Sequence, residues 1–472
     1  ENPQNVIREL LSFPEVEFAE RNTMIELFQS PNDDQYLTQW GLHNSGQPNE
    51  WGIQGLSGVD INAETAWNLS TGSKNVIVAI IDSGMNYNHP DLKENAWVNI
   101  AELNGKPNVD DDSNGFVDDI YGYDFFNNKA DPLDDNGHGT HIAGIIGANG
   151  NNKYGVSGVN WNVKIMPIKF TNNKIQGSLE GAIQGIQYAV KMGAHIINAS
   201  WGSENASEIL SSAIREAGEK NVLFIAAAGN NSRDNDSKIT KPVYPASFNL
   251  PSIISVASID QKGGLSNFSC FGAERVHLAA PGENIWSTWI DGSYKKQSGT
   301  SMAAPFVAGV AALLLSHEPN LTAIELKERL IKTAAPLKNL KGKVLSQGRV
   351  DAGFALLNQT PPLDPNDPDF WNFQDIKIST NHPYRESEKT FWEINIPGAK
   401  ALSVYFDKFA LANEFDFVDI HDRSGRLISR LYGKSVHGWS QITVGDYAKI
   451  TITSDQAVED YGFDITKVAF KN

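Results

Sequence analysis

Between about Asn32 and Ala355 the chain alternates two kinds of segment, and this alternation restricts the folds open to it. Predominantly apolar runs recur at VIVAII (76–81), VKIMPI (163–168), HIINAS (195–200), VLFIAAA (222–228) and IISVAS (253–258). Between and after them lie stretches with helical spacing: SLEGAIQGIQYAVKMG (178–193), SEILSSAIREAGEKN (207–221) and TAIELKERLIKTA (322–334). A strand that is apolar on both faces must be covered on both faces, and parallel strands need crossovers long enough to hold a helix. The pattern predicts an α/β fold, a mostly parallel sheet with helices on both faces.

The 472 residues exceed one ordinary domain. PPLDPNDPDF (361–370) carries four prolines and reads as a linker. Beyond it, residues 371–472 alternate apolar and polar positions in LSVYF, DFVDI, KITIT and FDITKV, which predicts an antiparallel β-sandwich domain. Residues 1–30 read as a helix (NVIRELLSF) and a short strand (EVEFAE). The expected division is an N-terminal arm (1–30), an α/β domain (31–360), the linker and the β-domain.

A net charge of −17 argues against nucleic acid as a partner, since phosphate binding needs a basic face. The single cysteine, Cys270, excludes an internal disulfide and reads as a small buried hydrophobe. No uninterrupted run of eighteen apolar residues marks a membrane span. No signal peptide is visible, and the start at Glu1 suggests numbering from a processed end. Nothing signals oligomerisation, so a monomer is expected.

Three motifs fall where such a sheet places a site. Asp82, in IDSG, directly follows the run VIVAII, at the carboxyl end of a strand. His138 opens a helix in NGHGTHIAG. Ser301, in SGTSMAAPFVAGVAALLL, sits in the first turn of a buried helix, with Pro305 tolerated near its start. A serine hydroxyl needs a base, an imidazole is suited to that work, and a buried carboxylate fixes the imidazole tautomer. Asn230, after LFIAAAG, can donate its amide to an oxyanion alongside the Ser301 N–H. Spacing alone leaves His138 and His141 both open as the base. The order Asp, His, Ser differs from those of chymotrypsin and the α/β-hydrolases, and the G-T-S-M-A context lacks the G-x-S-x-G elbow of esterases.

A second motif is acidic. Asp110, Asp112 and Asn114 alternate ahead of Gly115, followed by the Phe116 carbonyl and Asp118 or Asp119. This spacing follows the opening half of an EF-hand loop, and all-oxygen donors favour Ca²⁺.

IDSG, HGTHIAG, AAAGN and GTSMAAP together resemble the four active-site blocks of the subtilases, and the resemblance covers about residues 31–356. PNDDQYLTQWGL (31–42), ADPLDDNGHGT and GRVDAGFAL resemble bacterial members. The resemblance implies a secreted serine endopeptidase acting on proteins or peptides through an acyl-enzyme. It selects His138 as the base, with Asp82, Ser301 and Asn230 in the roles above. It implies an extended substrate added as a strand along Ser200-Trp201-Gly202 and Gly177-Ser178, with Val243 and Asn231 bordering the first specificity pocket. It implies a second structural Ca²⁺ site at Asp33, Asp91 and the loop 149–156, where Asn152 supplies an oxygen. Residues 1–30, especially FPEVEFAERN, resemble the end of a subtilase propeptide, which makes the chain's own propeptide an inhibitory partner and the chain a processed zymogen. VYFDKF, EFDFVDI, TSD and YGF resemble a CUB-like jelly roll, with Ala412 where an acid is expected and Glu414, Asp416 and Asp455 nearby.

Overall fold

The computed structural model describes residues 30–49, 52–174, 176–362, 367–412, 415–434, 438–456 and 459–471, with positions 16 and 436. The helix and strand expected within 1–30 lie outside the described residues.

The strands of the α/β region are β1 (Gly72–Asp82), β2 (Tyr123–Asp124), β3 (Asn162–Lys169), β4 (Ile196–Ala199), β5 (Leu223–Ala227), β6 (Ile253–Ile259) and β7 (Leu278–Pro281). A hairpin of β8 (Ile285–Thr288) and β9 (Tyr294–Gln297) follows, then the short β10 (Ala335–Pro336) and β11 (Gly348–Arg349). Nine of these form one sheet in the order β10-β11-β7-β6-β5-β4-β1-β3-β2. Every neighbouring pair is parallel except β10 and β11. The order reverses at β1, which runs between β3 and β4, so the carboxyl end of β1 opens on the crevice where such sheets hold their ligands.

The helices are α1 (Ala63–Trp67), α2 (Ile100–Leu103), α3 (His138–Gly147), α4 (Leu179–Lys191), α5 (Glu208–Glu219), α6 (Thr300–His317), α7 (Ala323–Lys332) and α8 (Ala352–Leu357). Caps written in the sequence start several of them: Ser178 caps α4, Ser207 caps α5 and Asp351 caps α8, while Thr322 and Glu325 form a capping box on α7. Alternate residues of β1 feed opposite cores. Val78 and Ile80 join the apolar cluster of α1, α3 and α6, whereas Ala79 and Ile81 join that of α4 and α5. This is the double coverage that the apolar strand runs required.

Helix α6 is apolar all round because it is enclosed. Among the described residues it is the one helix long and apolar enough to cross a membrane, at mean hydropathy 1.4, and 83% of it is buried within the protein.

The C-terminal region holds two antiparallel sheets. One joins β12 (Asn372–Ser379), β14 (Ala401–Ala410), β17 (Gly438–Trp439), β18 (Thr443–Val444) and β20 (Gly462–Lys471). The other joins β13 (Lys389–Asn395), β15 (Phe417–His421), β16 (Leu427–Leu431) and β19 (Tyr447–Thr453). Leu402, Val404 and Phe406 from the first meet Val418, Ile420, Ile450 and Ile452 from the second in one apolar cluster. The Pro-rich stretch ends in a 3₁₀ turn at Pro368–Phe370. Lys338 Nζ donates to the Ser440 carbonyl (2.7 Å) and Gln441 Nε2 to Asp260 (3.2 Å), tying the β-region to the α/β region.

Helix α6 packs closely at Gly309, where an added Cβ would lie 2.7 Å from Val159 Cβ, an atom held by the backbone. Gly309→Val should therefore destabilise the fold by about 3 kcal/mol through overpacking, read as a lowered denaturant midpoint at unchanged slope.

Candidate active site

The carboxyl end of β1 and the first turn of α3 touch backbone to backbone. A Cβ at Gly139 would lie 2.0 Å from the Gly84 carbonyl oxygen, so only glycine fits there. The contact brings His138 beside Asp82. His138 Nδ1 is 2.7 Å from Asp82 Oδ1, whose carboxylate is 2% exposed and also accepts the Ser83 N–H. Burial pulls the His138 imidazole down, but the charge and hydrogen bond of Asp82, helped by Asp134, leave it above its ordinary value.

His141, one turn on, is held differently. It is fully buried, with Nε2 against the carbonyls of Ile285 (3.1 Å) and Lys295 (3.0 Å), and burial pushes it down to about 3. The structure thus joins His138, not His141, to the carboxylate.

Ser301 is the second residue of α6, among first-turn N–H groups that lack intrahelical partners. Its hydroxyl donates to the Ser200 carbonyl (3.0 Å) rather than to His138. The contact is reciprocal, for Ser200 Oγ donates to the Ser301 carbonyl (2.9 Å). Pro305 explains why that carbonyl is free. It lies inside the helix four residues on and has no N–H to offer, so Ser200 replaces the missing helical bond. Asn198 Nδ2 in turn donates to Ser200 Oγ (2.9 Å).

Asn230 lies three residues beyond the end of β5. Its amide oxygen accepts both the N–H and the hydroxyl of Thr300, each at 2.9 Å. With Oδ1 engaged, Nδ2 is the donor end of the same amide. Asp82, His138, Asn230 and Ser301 thus come from four chain segments, tied in pairs by the Asp82–His138 bond and by the bond of Asn230 to Thr300, the neighbour of Ser301.

The expected substrate segments flank this group. Trp201 donates Nε1 to the Ile81 carbonyl (2.9 Å) and packs on Phe170, with ring centroids 5.1 Å apart. Gly177 lies against the same Phe170, at 2.6 Å for an added Cβ, and Ser178 is spent as the α4 cap. The two segments thus share one aromatic floor, and Trp201 braces the end of β1. Val243 wedges between Gly202 and Gly229, at 2.6 Å and 2.8 Å from their added Cβ positions. Asn231 is exposed. Cys270 is buried beneath Gly229.

In the acidic loop the structure gathers Asp112, Asp119 and Glu102, with one carboxylate oxygen from each lying within 4.8 Å of the others. Asn114 Nδ2 donates to Asp112 (3.2 Å) and Asp119 (2.9 Å). Burial pushes the Asp119 carboxyl up. Asp110 and Asp118 serve the turns, accepting the N–H groups of Asn114 and Gly115 and of Asn108 respectively. Phe116 packs its ring on Tyr123 and Tyr188. At the second expected site, Asp33 accepts the N–H groups of Asn151 and Asn152, and Asn152 Nδ2 donates to Asp91 (2.9 Å). Burial pushes Asp33 up to about 6, with the charge of Asp91 adding to it. In the β-region, Asp416 accepts the Tyr384 hydroxyl (2.6 Å) and the Asp455 N–H (2.8 Å), while Glu414 lies outside the described residues.

Sequence reasoning missed three residues here. Asp134 accepts the N–H groups of Gly137 and Thr140 (each 2.9 Å) and so caps α3, whose own N-cap residue, Gly137, has no side chain. Thr300 pins Asn230. Glu102 completes the acidic cluster from α2, and its Glu-in-a-short-helix context carried no signal. The ADPLDDNGHGT resemblance was the only hint of Asp134.

Residues 73–355 match the family described as the subtilase family. The chain is 34% identical over 352 residues to a thermophilic serine proteinase of Bacillus sp. (strain AK1), covering 74% of this chain and 75% of that protein. It is 37% identical over 342 residues to subtilisin-like protease 1 of Plasmodium berghei (strain Anka), covering 69% of this chain and 55% of that protein. It spans roughly half the length of this and the corresponding Plasmodium vivax and Plasmodium falciparum relatives, at 55%, 46% and 43%. A solved structure of a protease from Pseudoalteromonas arctica PAMC 21717 superposes with a TM-score of 0.55 at 28% identity, covering 70% of this chain and 99% of that one. Sheet, motif order and sequence agree: the chain belongs to the subtilase family.

Proposed function

We propose that the chain is a secreted, calcium-stabilised serine endopeptidase working through Asp82, His138, Ser301 and Asn230. The observation that carries this reading is the buried Asp82–His138 hydrogen bond at 2.7 Å, set beside a serine at a helix start and an amide pinned by Thr300. The peptide chain lies as an added strand along Ser200–Gly202 and Gly177–Ser178. When its scissile carbonyl enters, the Ser301 hydroxyl turns from the Ser200 carbonyl to His138, a bond that often forms only with substrate in place. His138 Nε2 takes the proton as Oγ bonds to the carbonyl carbon. Asp82 holds Nδ1–H and stabilises the imidazolium. Asn230 Nδ2 and the Ser301 N–H receive the oxyanion; in subtilisin, losing such an amide costs about a hundred- to a thousand-fold in turnover. His138 then protonates the departing amine, and water repeats the sequence on the acyl-enzyme. Val243 and Asn231 border the first specificity pocket.

The donor sets suit Ca²⁺. Asp112, Asp119 and Glu102 offer three convergent carboxylates, and Asp33, Asp91 and Asn152 offer oxygens from three separate segments. Bound there, the ion would tie loops together and stabilise the folded state without entering the chemistry. Residues 1–30 are read as a propeptide remnant or an N-terminal arm.

Ser301→Ala should abolish casein cleavage, a loss of about a million-fold on the scale known for subtilisin, while leaving the fold intact. Inhibitor-sensitive cleavage surviving in this variant would overturn the assignment. The base must be neutral to work. Because Asp82 holds His138 above the ordinary imidazole value of 6.5, the acid limb of kcat/KM should have its midpoint above 6.5, with activity lost as pH falls through it. A midpoint below 6.5 would contradict the pairing. Exhaustive chelation should lower Tm, and Glu102→Gln should reproduce part of the drop; an unchanged Tm on chelation would remove the calcium reading.

A further inference from the structure

Lys169, the last residue of β3, is a buried cation that the proposed chemistry does not use. Its side chain is 2% exposed. Nζ donates to the Ser83 carbonyl (2.9 Å) and to Asp135 Oδ1 (2.6 Å), and Asp135 is half-exposed. Burying an ammonium is costly unless it is paired and hydrogen-bonded, so the feature needs a reason.

Its position supplies one. Lys169 stands in register with Asp82 on the neighbouring strand, and the next N–H along, that of Phe170, donates to the Asp82 carbonyl (3.0 Å). Ser83, between Asp82 and the Gly84 contact, is held at its carbonyl and its hydroxyl as well as at its N–H. Lys169 holds its carbonyl, while its hydroxyl donates to Asp134 (2.9 Å) and accepts the Gly139 N–H (3.0 Å). The adjacent carboxylates divide the work. Asp134 takes the N–H groups of Gly137 and Thr140 at the start of α3, and Asp135 takes the lysine. One ammonium therefore fixes the turn carrying Asp82 and the loop carrying His138 to the same strand end.

We propose that Lys169 is a positioning residue of the active centre, acting through Ser83 and Asp135 to hold Asp82 and His138 at working distance. The inference rests on the reading of Asp82, His138 and Ser301 as the reacting set. A misplacement of about 1 Å at a reacting pair is worth on the order of a hundred-fold in rate, so loosening this brace falls on turnover and not on substrate affinity.

The test uses Lys169→Met, Asp135→Asn and the double variant of the full chain, in calcium, with rates on a chromogenic peptide normalised by active-site titration. The single variants should lose about ten- to a hundred-fold in kcat with KM little changed. Covalent labelling of Ser301 by an organofluorophosphate should slow in parallel. The double variant should be no worse than Lys169→Met, because the two residues act as one unit. Should Lys169→Met fail to fold, Asp135→Asn carries the test, since it alters only a half-exposed side chain. A lowered Tm with wild-type kcat per titrated site would overturn the proposal, as would strictly additive losses. Ser301→Ala separates the two readings: residual cleavage there overturns the function itself, whereas an inactive Ser301→Ala beside an unimpaired Asp135→Asn overturns only the role of Lys169.

Discussion

The backbone contact between Gly84 and Gly139 is the constraint on which the site depends. A parallel sheet delivers strand ends to one edge, but it does not set the distance between a strand end and the next helix start. Here that distance is set by two chain segments lying in contact without side chains between them, at 2.0 Å for an added Cβ. Any larger residue at position 139 would push α3 away from β1 and lengthen the Asp82–His138 hydrogen bond. The glycines of IDSG and HGTH are therefore spacers, and the polar groups around them secure what the spacers allow. The open N-terminus of α3 shows this. Its first-turn N–H groups are met by Asn136, Ser83 and Asp134, one from each direction of approach.

The serine side is built on a different compromise. Helix α6 is enclosed by apolar neighbours, so its start must end at the surface with its polar groups satisfied by other segments. Asn230 takes the Thr300 N–H, and Ser200 takes the carbonyl that Pro305 leaves free. Both partners come from loops just past neighbouring strands, β5 and β4. The same bonds that terminate the helix thus fix the amide donor and the serine relative to each other. Helix capping and the placing of Asn230 beside the α6 start are one set of interactions, and a helix start without Pro305 would not need the Ser200 hydroxyl on the Ser301 carbonyl.

How much of this was legible in the sequence follows from range. The strands and helices were readable because apolar runs and caps are local signals, and the α/β architecture followed from their alternation. The order of Asp82, His138, Asn230 and Ser301 was readable because each sits in a short glycine-rich block whose composition is unusual. Glu102, Thr300 and Asp134 were not, because nothing near them in sequence says what they meet. Glu102 reaches Asp119 only once α2 folds beside the acidic loop. Spacing left His138 and His141 open, and the fold separates them through partners distant in sequence: Asp82 for one, the Ile285 and Lys295 carbonyls for the other. Trp201 reads equally well from sequence as a substrate contact or as packing, and its bond to the Ile81 carbonyl gives it the structural share.

The acidic loops sit at a second tier of the same logic. Asp33, Asp91 and the 149–156 loop meet where α3 ends, and the Asp112–Asp119 cluster lies against Tyr188 of α4. The 149–156 loop follows α3, whose first residue is His138. Burial, and to a lesser degree the charge of a neighbouring carboxylate, pushes Asp33, Asp91 and Asp119 up. The fold holds them together by backbone N–H and amide donors, which lowers the repulsion without removing it. Under the proposed calcium reading, a bound cation would offset the charge of these carboxylates, and the stability of the loops would then depend on the ions around them.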